Sequence, residues 1–239
     1  MDNSLPKHIA IMLDGNRRWL ARRKQELGVV AHEFGANNLR VLLDSFLKQQ
    51  EVLTPFLTIW GSSIDNLTKR SKEETDSIIN IYRKYFQELS QREELKTKSI
   101  KVNFFGRWRE LLPNDLVKIL IEIKEKTKEN SGPTLTFLLA YSGKDEMLEA
   151  IRKIRIIDSE IEISEKLLKE NLWTGWLPPV DLVIRTGVEN DPHWSSGFMM
   201  WSCADSQFYF TETLWPDFSV KEFDKALSVY KETQKRRGG

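Results

Sequence analysis

The chain has 239 residues, 40% hydrophobic and 30% charged, which is enough apolar material for one sizeable core and excludes a disordered polypeptide. Thirty-six Lys and Arg nearly cancel 35 Asp and Glu, so the net charge of +1 gives no global field for nucleic acid or an anionic membrane, and any anion site must be local. The single cysteine, Cys203, excludes an intrachain disulfide and a cysteine-rich zinc site; with no run of 18 apolar residues, the sequence reads as a cytoplasmic protein that does not span a membrane.

Taken in chain order, short apolar runs alternate with longer segments of helical period. Strands are predicted at 8–13, 55–60, 100–105, 134–140, 180–184 and 207–210. Between them, 37–48 places Leu39, Leu42, Leu43, Phe46 and Leu47 on one helical face, and 71–94 does the same with Ile78, Ile81, Tyr82, Tyr85, Phe86 and Leu89. Pro113 opens a third helix, and Ser219 with Glu222 forms a capping box for a last one that ends at Gly238 and Gly239. This alternation predicts one α/β domain over 1–239, a mostly parallel six-stranded sheet flanked by helices on both faces.

Parallel strands need crossovers, so the loops at their C-terminal ends gather on one edge, where ligands bind. Those loops carry Asp14-Gly15-Asn16-Arg17-Arg18-Trp19, then Gly61-Ser62-Ser63, Gly106-Arg107, Tyr141-Ser142-Gly143 and Arg185-Thr186-Gly187. Asp14 beside Arg17 and Arg18 is a poor general base, because neighbouring cations favour its ionised form. A lone carboxylate among arginines instead suits Mg²⁺ shared with a diphosphate, and the helix after Gly15 adds free N–H groups for the same anion. Taken alone, Asp14 serves equally as a helix cap, and Arg185 could pair with Asp181 or Glu189. No G-x-S-x-G, G-x-G-x-x-G or Walker A pattern occurs, which argues against a serine nucleophile, a dinucleotide and ATP-driven phosphoryl transfer.

The run from His8 to Trp19, Tyr141-Ser142-Gly143, Leu182 to Gly187 and Leu214-Trp215-Pro216-Asp217-Phe218 occur in the order that resembles the cis-prenyltransferases, whose members include undecaprenyl diphosphate synthases. The resemblance implies a homodimer that condenses isopentenyl diphosphate with an allylic diphosphate in cis geometry and releases diphosphate, using Mg²⁺. It implies Asp14 as the metal carboxylate, Asn66 as a catalytic residue that positions the isopentenyl group, and Gln207 as a second metal ligand. Substrate binding would fall to Gly15, Asn16, Arg17, Arg18, Trp19 and His32 on the allylic side, and to Arg185, Ser195 and Ser196 on the other. It further implies peripheral membrane contact through a lipid product and no nucleic-acid partner.

Several positions depart from the family pattern. Arg17 replaces a usual glycine, the loop 189–197 lacks a second arginine, and Gln207 stands where a glutamate is usual, which keeps an oxygen donor but loses its charge. The alternative reading is a non-catalytic subunit of a heteromeric prenyltransferase, against which Asp14 argues because such a subunit has no chemical need of it.

Overall fold

The computed structural model describes residues 5–27, 31–48, 54–157 and 160–236. Six strands form: β1 (His8–Met12), β2 (Phe56–Trp60), β3 (Lys101–Phe105), β4 (Thr134–Leu138), β5 (Leu182–Arg185) and β6 (Gln207–Phe210). Every pairing is parallel, in the order β3-β4-β2-β1-β5-β6. All six strands coincide with predicted ones; the largest shift is β5, which starts two residues later than predicted and takes Arg185 in as its last member. Among the described residues ten α-helices accompany them: α1 (Asn16–Leu27), α2 (Ala31–Lys48), α3 (Ile64–Thr68), α4 (Lys72–Ser90), α5 (Glu94–Thr97), α6 (Trp108–Leu111), α7 (Asn114–Thr127), α8 (Gly143–Ile157), α9 (Glu165–Asn171) and, after the last strand, α10 (Val220–Arg236).

Alternation along β1 divides the core. Ile9 and Ile11 face a large cluster with Leu43 and Phe46 of α2, Phe86 of α4, Leu116 and Leu120 of α7, and Phe223 of α10. Ala10 and Met12 face the other side, with Val183, Phe198, Met199 and Cys203. There the sheet is covered by the segments on either side of β5, through Leu177 and Val180 before it and Phe198, Met199 and Cys203 after it, and α8 and α9 pack together through Ala150, Ile154, Leu168 and Leu172. The second layer is therefore helical only in part. Trp215 ties the first layer to the rim: its indole N–H donates to the Gly35 carbonyl at 2.9 Å, its backbone N–H to Asp14 at 3.0 Å, and its carbonyl accepts from Asn38 at 2.7 Å.

From β1 the chain turns towards β2, and from β5 it turns the opposite way to β6, so the loops after these two neighbours diverge. A crevice opens between diverging loops at such a switch point. Asp14 follows β1 and Arg185 closes β5, which brings residues 171 positions apart to one spot.

Candidate active site

Gly15 shapes the first wall. Its φ of +107° lets the chain turn sharply from β1 into α1, and a Cβ there would fall 2.8 Å from Leu214. Asp14 is locked by the same turn: its Oδ1 accepts from the Gly15 N–H at 2.6 Å, and its carbonyl accepts from Thr186 Oγ1 at 2.7 Å. Its carboxylate stays 44% exposed, so it faces the crevice.

Arg185 forms the opposite wall and is 3% exposed. One guanidinium N–H donates to Asp14 Oδ2 at 3.0 Å and another to the His193 carbonyl, while Nε is buried without a protein partner. Its partner is thus Asp14, and neither Asp181, which accepts from the backbone N–H of Lys7 and His8, nor Glu189, which is held by Arg18 at 3.2 Å and Arg22 at 2.8 Å. The His193 ring lies 3.2 Å from the guanidinium and 3.1 Å from Ser195 Oγ.

Two adjoining cavities open here. One, of about 490 Å³, is bordered by Asp14, Gly15, Asn16, Arg17, Arg18 and Arg70. The other, of about 230 Å³, is bordered by Asp14, Arg17, Ser62, Ser63, Arg70, Arg185 and Ser195; Asn66 borders both. Three guanidinium groups against one carboxylate in each cavity make an anion site, reinforced by the free N–H groups of the first turn of α1. Burial, then the nearby Arg17 charge, pulls the pKa of Arg70 below its ordinary value, which an incoming anion would reverse.

Leu13, Asn16, Gly61 and Ile78 lead from the larger cavity into an apolar pocket of about 100 Å³. Tyr82, Tyr85, Phe86 and Phe137 line it, and the Phe86 ring packs on Tyr85 at 5.3 Å and on Phe137 at 5.1 Å. Ala36, Ile81 and Tyr85 also line a polar groove of about 650 Å³ beside α2 and α4, so they partition the pocket from it.

The crevice brings together Asp14, Gly15, Asn16, Arg17, Arg18, Asn66, Arg185 and Ser195 of the predicted residues. Asn66 is partly committed: its Oδ1 accepts from the Ser63 N–H at 3.1 Å, which closes the capping box of α3. Other predicted residues are placed differently. Trp19 is 3% exposed, packs on Phe34 at 4.9 Å and lies under Arg23, so it is a wall of α1 and no ligand contact. Ser196 borders neither cavity; its carbonyl accepts from Ser142 Oγ at 3.4 Å. Gln207 is corrected most sharply: it opens β6 level with Leu182, at the end of the sheet away from Asp14, and its amide nitrogen is buried without a partner. The side chain of His32 and the terminal 237–239 lie outside the described residues. Arg70, which borders both cavities, was missed: it follows the end of α3 at Thr68, and no spacing in the sequence carries it to the rim.

Among the described residues no group of three or more His, Cys, Asp and Glu is placed to hold a metal ion. Asp14, half-exposed and flanked by anion-binding arginines, fits Mg²⁺ only as one carboxylate that shares the ion with phosphate oxygens.

A family model described as "Putative undecaprenyl diphosphate synthase" matches residues 11–238. The chain is 34% identical to an isoprenyl transferase of Aquifex pyrophilus over 100% of its length and 98% of that protein's. It is 33% identical to a geranylgeranyl-diphosphate-specific tritrans,polycis-undecaprenyl-diphosphate synthase of Thermococcus kodakarensis, over 98% of this chain and 88% of that one. The crystal structure of lavandulyl diphosphate synthase from Lavandula x intermedia, in complex with dimethylallyl diphosphate, superposes with a TM-score of 0.81 at 29% identity, covering 96% of this chain and 97% of that one.

Proposed function

Because the chain belongs to the undecaprenyl diphosphate synthase family, we propose that it condenses isopentenyl diphosphate with a short allylic diphosphate, and that the crevice between Asp14 and Arg185 is where it does so. The observation that carries this reading is the juxtaposition of two arginine-lined cavities, one of which opens into an apolar pocket. The allylic diphosphate occupies the larger cavity, held by Arg17, Arg18, Arg70 and the N–H group of Asn16, with its tail in the pocket. The isopentenyl diphosphate occupies the smaller one, held by Arg185 and Ser195, and Asn66 stands between the two substrates.

In the reaction the allylic C1–O bond breaks, isopentenyl C4 bonds to C1, and a C2 proton leaves as the new cis double bond forms. Positive charge builds on the allylic carbon while negative charge builds on the departing diphosphate, so fixed guanidinium groups are worth most at that moment. Mg²⁺, when bound through Asp14 and the phosphates, adds positive charge against the leaving group. An engineered apolar cavity of about 150 Å³ holds benzene. On that scale the pocket of about 100 Å³ takes one five-carbon unit, which favours a dimethylallyl primer and short products.

The same reading makes the protein a homodimer that pairs through β6. That edge strand exposes Phe208 at 38% and Phe210 at 39%, their rings are stacked, and Trp194 packs on Phe208. A cytoplasmic location goes with the lone, buried Cys203, and membrane contact is confined to the lipid diphosphate that the enzyme releases. Among the described residues no helix is long and apolar enough to cross a membrane.

The test is purified protein with isopentenyl diphosphate, Mg²⁺ and each of dimethylallyl, geranyl, farnesyl and geranylgeranyl diphosphate, with product sizing and double-bond geometry by NMR. A cis product is expected, with the dimethylallyl primer used best. No product from any primer, alone or with a second protein of the same family, refutes catalysis; product only with that second protein supports the heteromeric alternative.

A further inference from the structure

Tyr82 stands on α4 in the wall of the apolar pocket, its ring packed on Phe86 with centroids 5.7 Å apart. Its hydroxyl oxygen is buried and has no hydrogen-bond partner among the described residues. The polar groups around it are engaged elsewhere. The Leu138 carbonyl accepts from the N–H groups of Gly61 at 2.9 Å and Ser62 at 3.3 Å, and Ser62 Oγ accepts from the Ala140 N–H at 3.0 Å. Burial drives the pKa of Tyr82 upward; Ser62, which stands near without completing a bond, and Arg70 oppose that rise only in part. The group is therefore a neutral O–H donor without an acceptor.

Gly61 gives the place of that oxygen. A Cβ on Gly61 would fall 3.0 Å from it, and Gly61 borders the apolar pocket and both arginine-lined cavities. The hydroxyl thus sits at the neck where the pocket meets the anion site. No cation borders the pocket, and two other donors in its wall are used within the protein, the Trp215 indole on the Gly35 carbonyl and the Asn16 amide on the Leu13 carbonyl. A buried hydroxyl with no acceptor is destabilising, and phenylalanine would fill the same wall without that cost. With the diphosphate in the larger cavity and its tail in the pocket, the atoms that pass Gly61 are C1 of the allylic substrate and the oxygen that joins it to phosphorus.

We infer that Tyr82 is a further catalytic residue, whose hydroxyl donates to the bridging oxygen of the allylic diphosphate. This rests on the function proposed above. When the C1–O bond breaks, both of its electrons stay on that oxygen, so the acceptor gains negative charge as the diphosphate departs and the hydrogen bond strengthens. The proton remains on Tyr82, and the side chain forms no covalent bond. Arg17, Arg18 and Arg70 meet the outer phosphate oxygens from the cavity, and Tyr82 meets the one oxygen on the apolar side.

Tyr82→Phe deletes that oxygen alone. It is expected to lower kcat roughly 10- to 100-fold, as for the loss of one hydrogen bond to a charged group, with the KM of each substrate within about threefold and the product size unchanged. Its melting temperature should equal or exceed that of the wild type, because an unpaired buried hydroxyl has been removed. Site-specific 3-fluorotyrosine at position 82, a more acidic donor of nearly the same shape, should turn over at least as fast as the wild type. A Tyr82→Phe kcat within twofold of wild type, a rise in KM without a fall in kcat, or a fluorotyrosine protein as slow as Tyr82→Phe overturns the inference while the functional proposal stands. A melting temperature lowered by several degrees overturns it as well, since the hydroxyl would then have a partner within the protein. A folded wild type that makes no product from any primer overturns the functional proposal, and the inference with it.

Discussion

Replacing Arg185 by Met separates binding from stability. Met keeps a long unbranched side chain in a site that is 3% exposed, so little volume is lost. The ion pair removed is with a carboxylate 44% exposed, so solvent screens it and its contribution is on the order of 0–1 kcal/mol. The His193 carbonyl loses one donor at about 1 kcal/mol, and Asp14 keeps Arg18 at 3.3 Å and the Gly15 N–H. The net cost is about 1–2 kcal/mol, roughly 2–8 °C in melting temperature for a chain of this size. Catalysis should suffer far more. Two charge-assisted hydrogen bonds to a diphosphate at about 1.5–3 kcal/mol each amount to roughly a 10²–10⁴-fold fall in kcat/KM for isopentenyl diphosphate. Steady-state kinetics with each substrate varied, alongside a thermal melt, decides it. A kcat/KM within threefold of wild type, or a loss shared equally between the two substrates, refutes the placement of the isopentenyl diphosphate against Arg185.

Asp14→Asn keeps an acceptor for the Gly15 N–H, so the fold should hold while turnover falls by about 10²–10³ and magnesium-dependent diphosphate binding weakens in calorimetry; unchanged magnesium dependence removes Asp14 from the metal. Tyr85→Ala merges the apolar pocket with the groove beside α2 and α4, so chromatography should show longer products than wild type with the same primer. His8 is buried and neutral, its ring bonded to Pro178 and Thr58, and burial lowers its pKa. The unfolded chain therefore binds the extra proton first, and stability is lost as pH falls from about 6.5 towards the folded value, by at most about 1.4 kcal/mol per pH unit. Glu146, raised by burial, acts in the opposite sense at acid pH, so the measurement is the difference between wild-type and His8→Gln melts from pH 7 to pH 5; parallel curves refute the assignment.

The first five strands were legible because each is an apolar run that meets Gly, Asp or Ser within a few residues of its end, and the rim followed from parallel connectivity. Asp14, Arg17, Arg18 and Arg185 needed no more than that. What spacing could not supply was level along the sheet. The family pattern sets Gln207 at the metal, yet the register sets it three residues below Arg185, against Leu182. Trp19 read as part of a ligand motif because it adjoins Arg18, whereas helical rotation turns it into the interior. The buried Tyr141 hydroxyl donates to Glu146 and accepts from the Met199 N–H, which joins segments up to 58 residues apart, and no local pattern announces that.

Trp215 bonds at once to the Gly35 carbonyl of α2 and, through its backbone, to the Asp14 carbonyl. α2, which lines the apolar pocket, and the loop that carries Asp14 are consequently one mechanical part. With the substrates placed as proposed, a tail pressing on α2 would pull through Trp215 on the peptide that carries the Asp14 carboxylate. On the proposed placement of the substrates, the fit of the hydrocarbon and the grip on the headgroup are therefore not independent, and a change in one carries to the other through a single tryptophan.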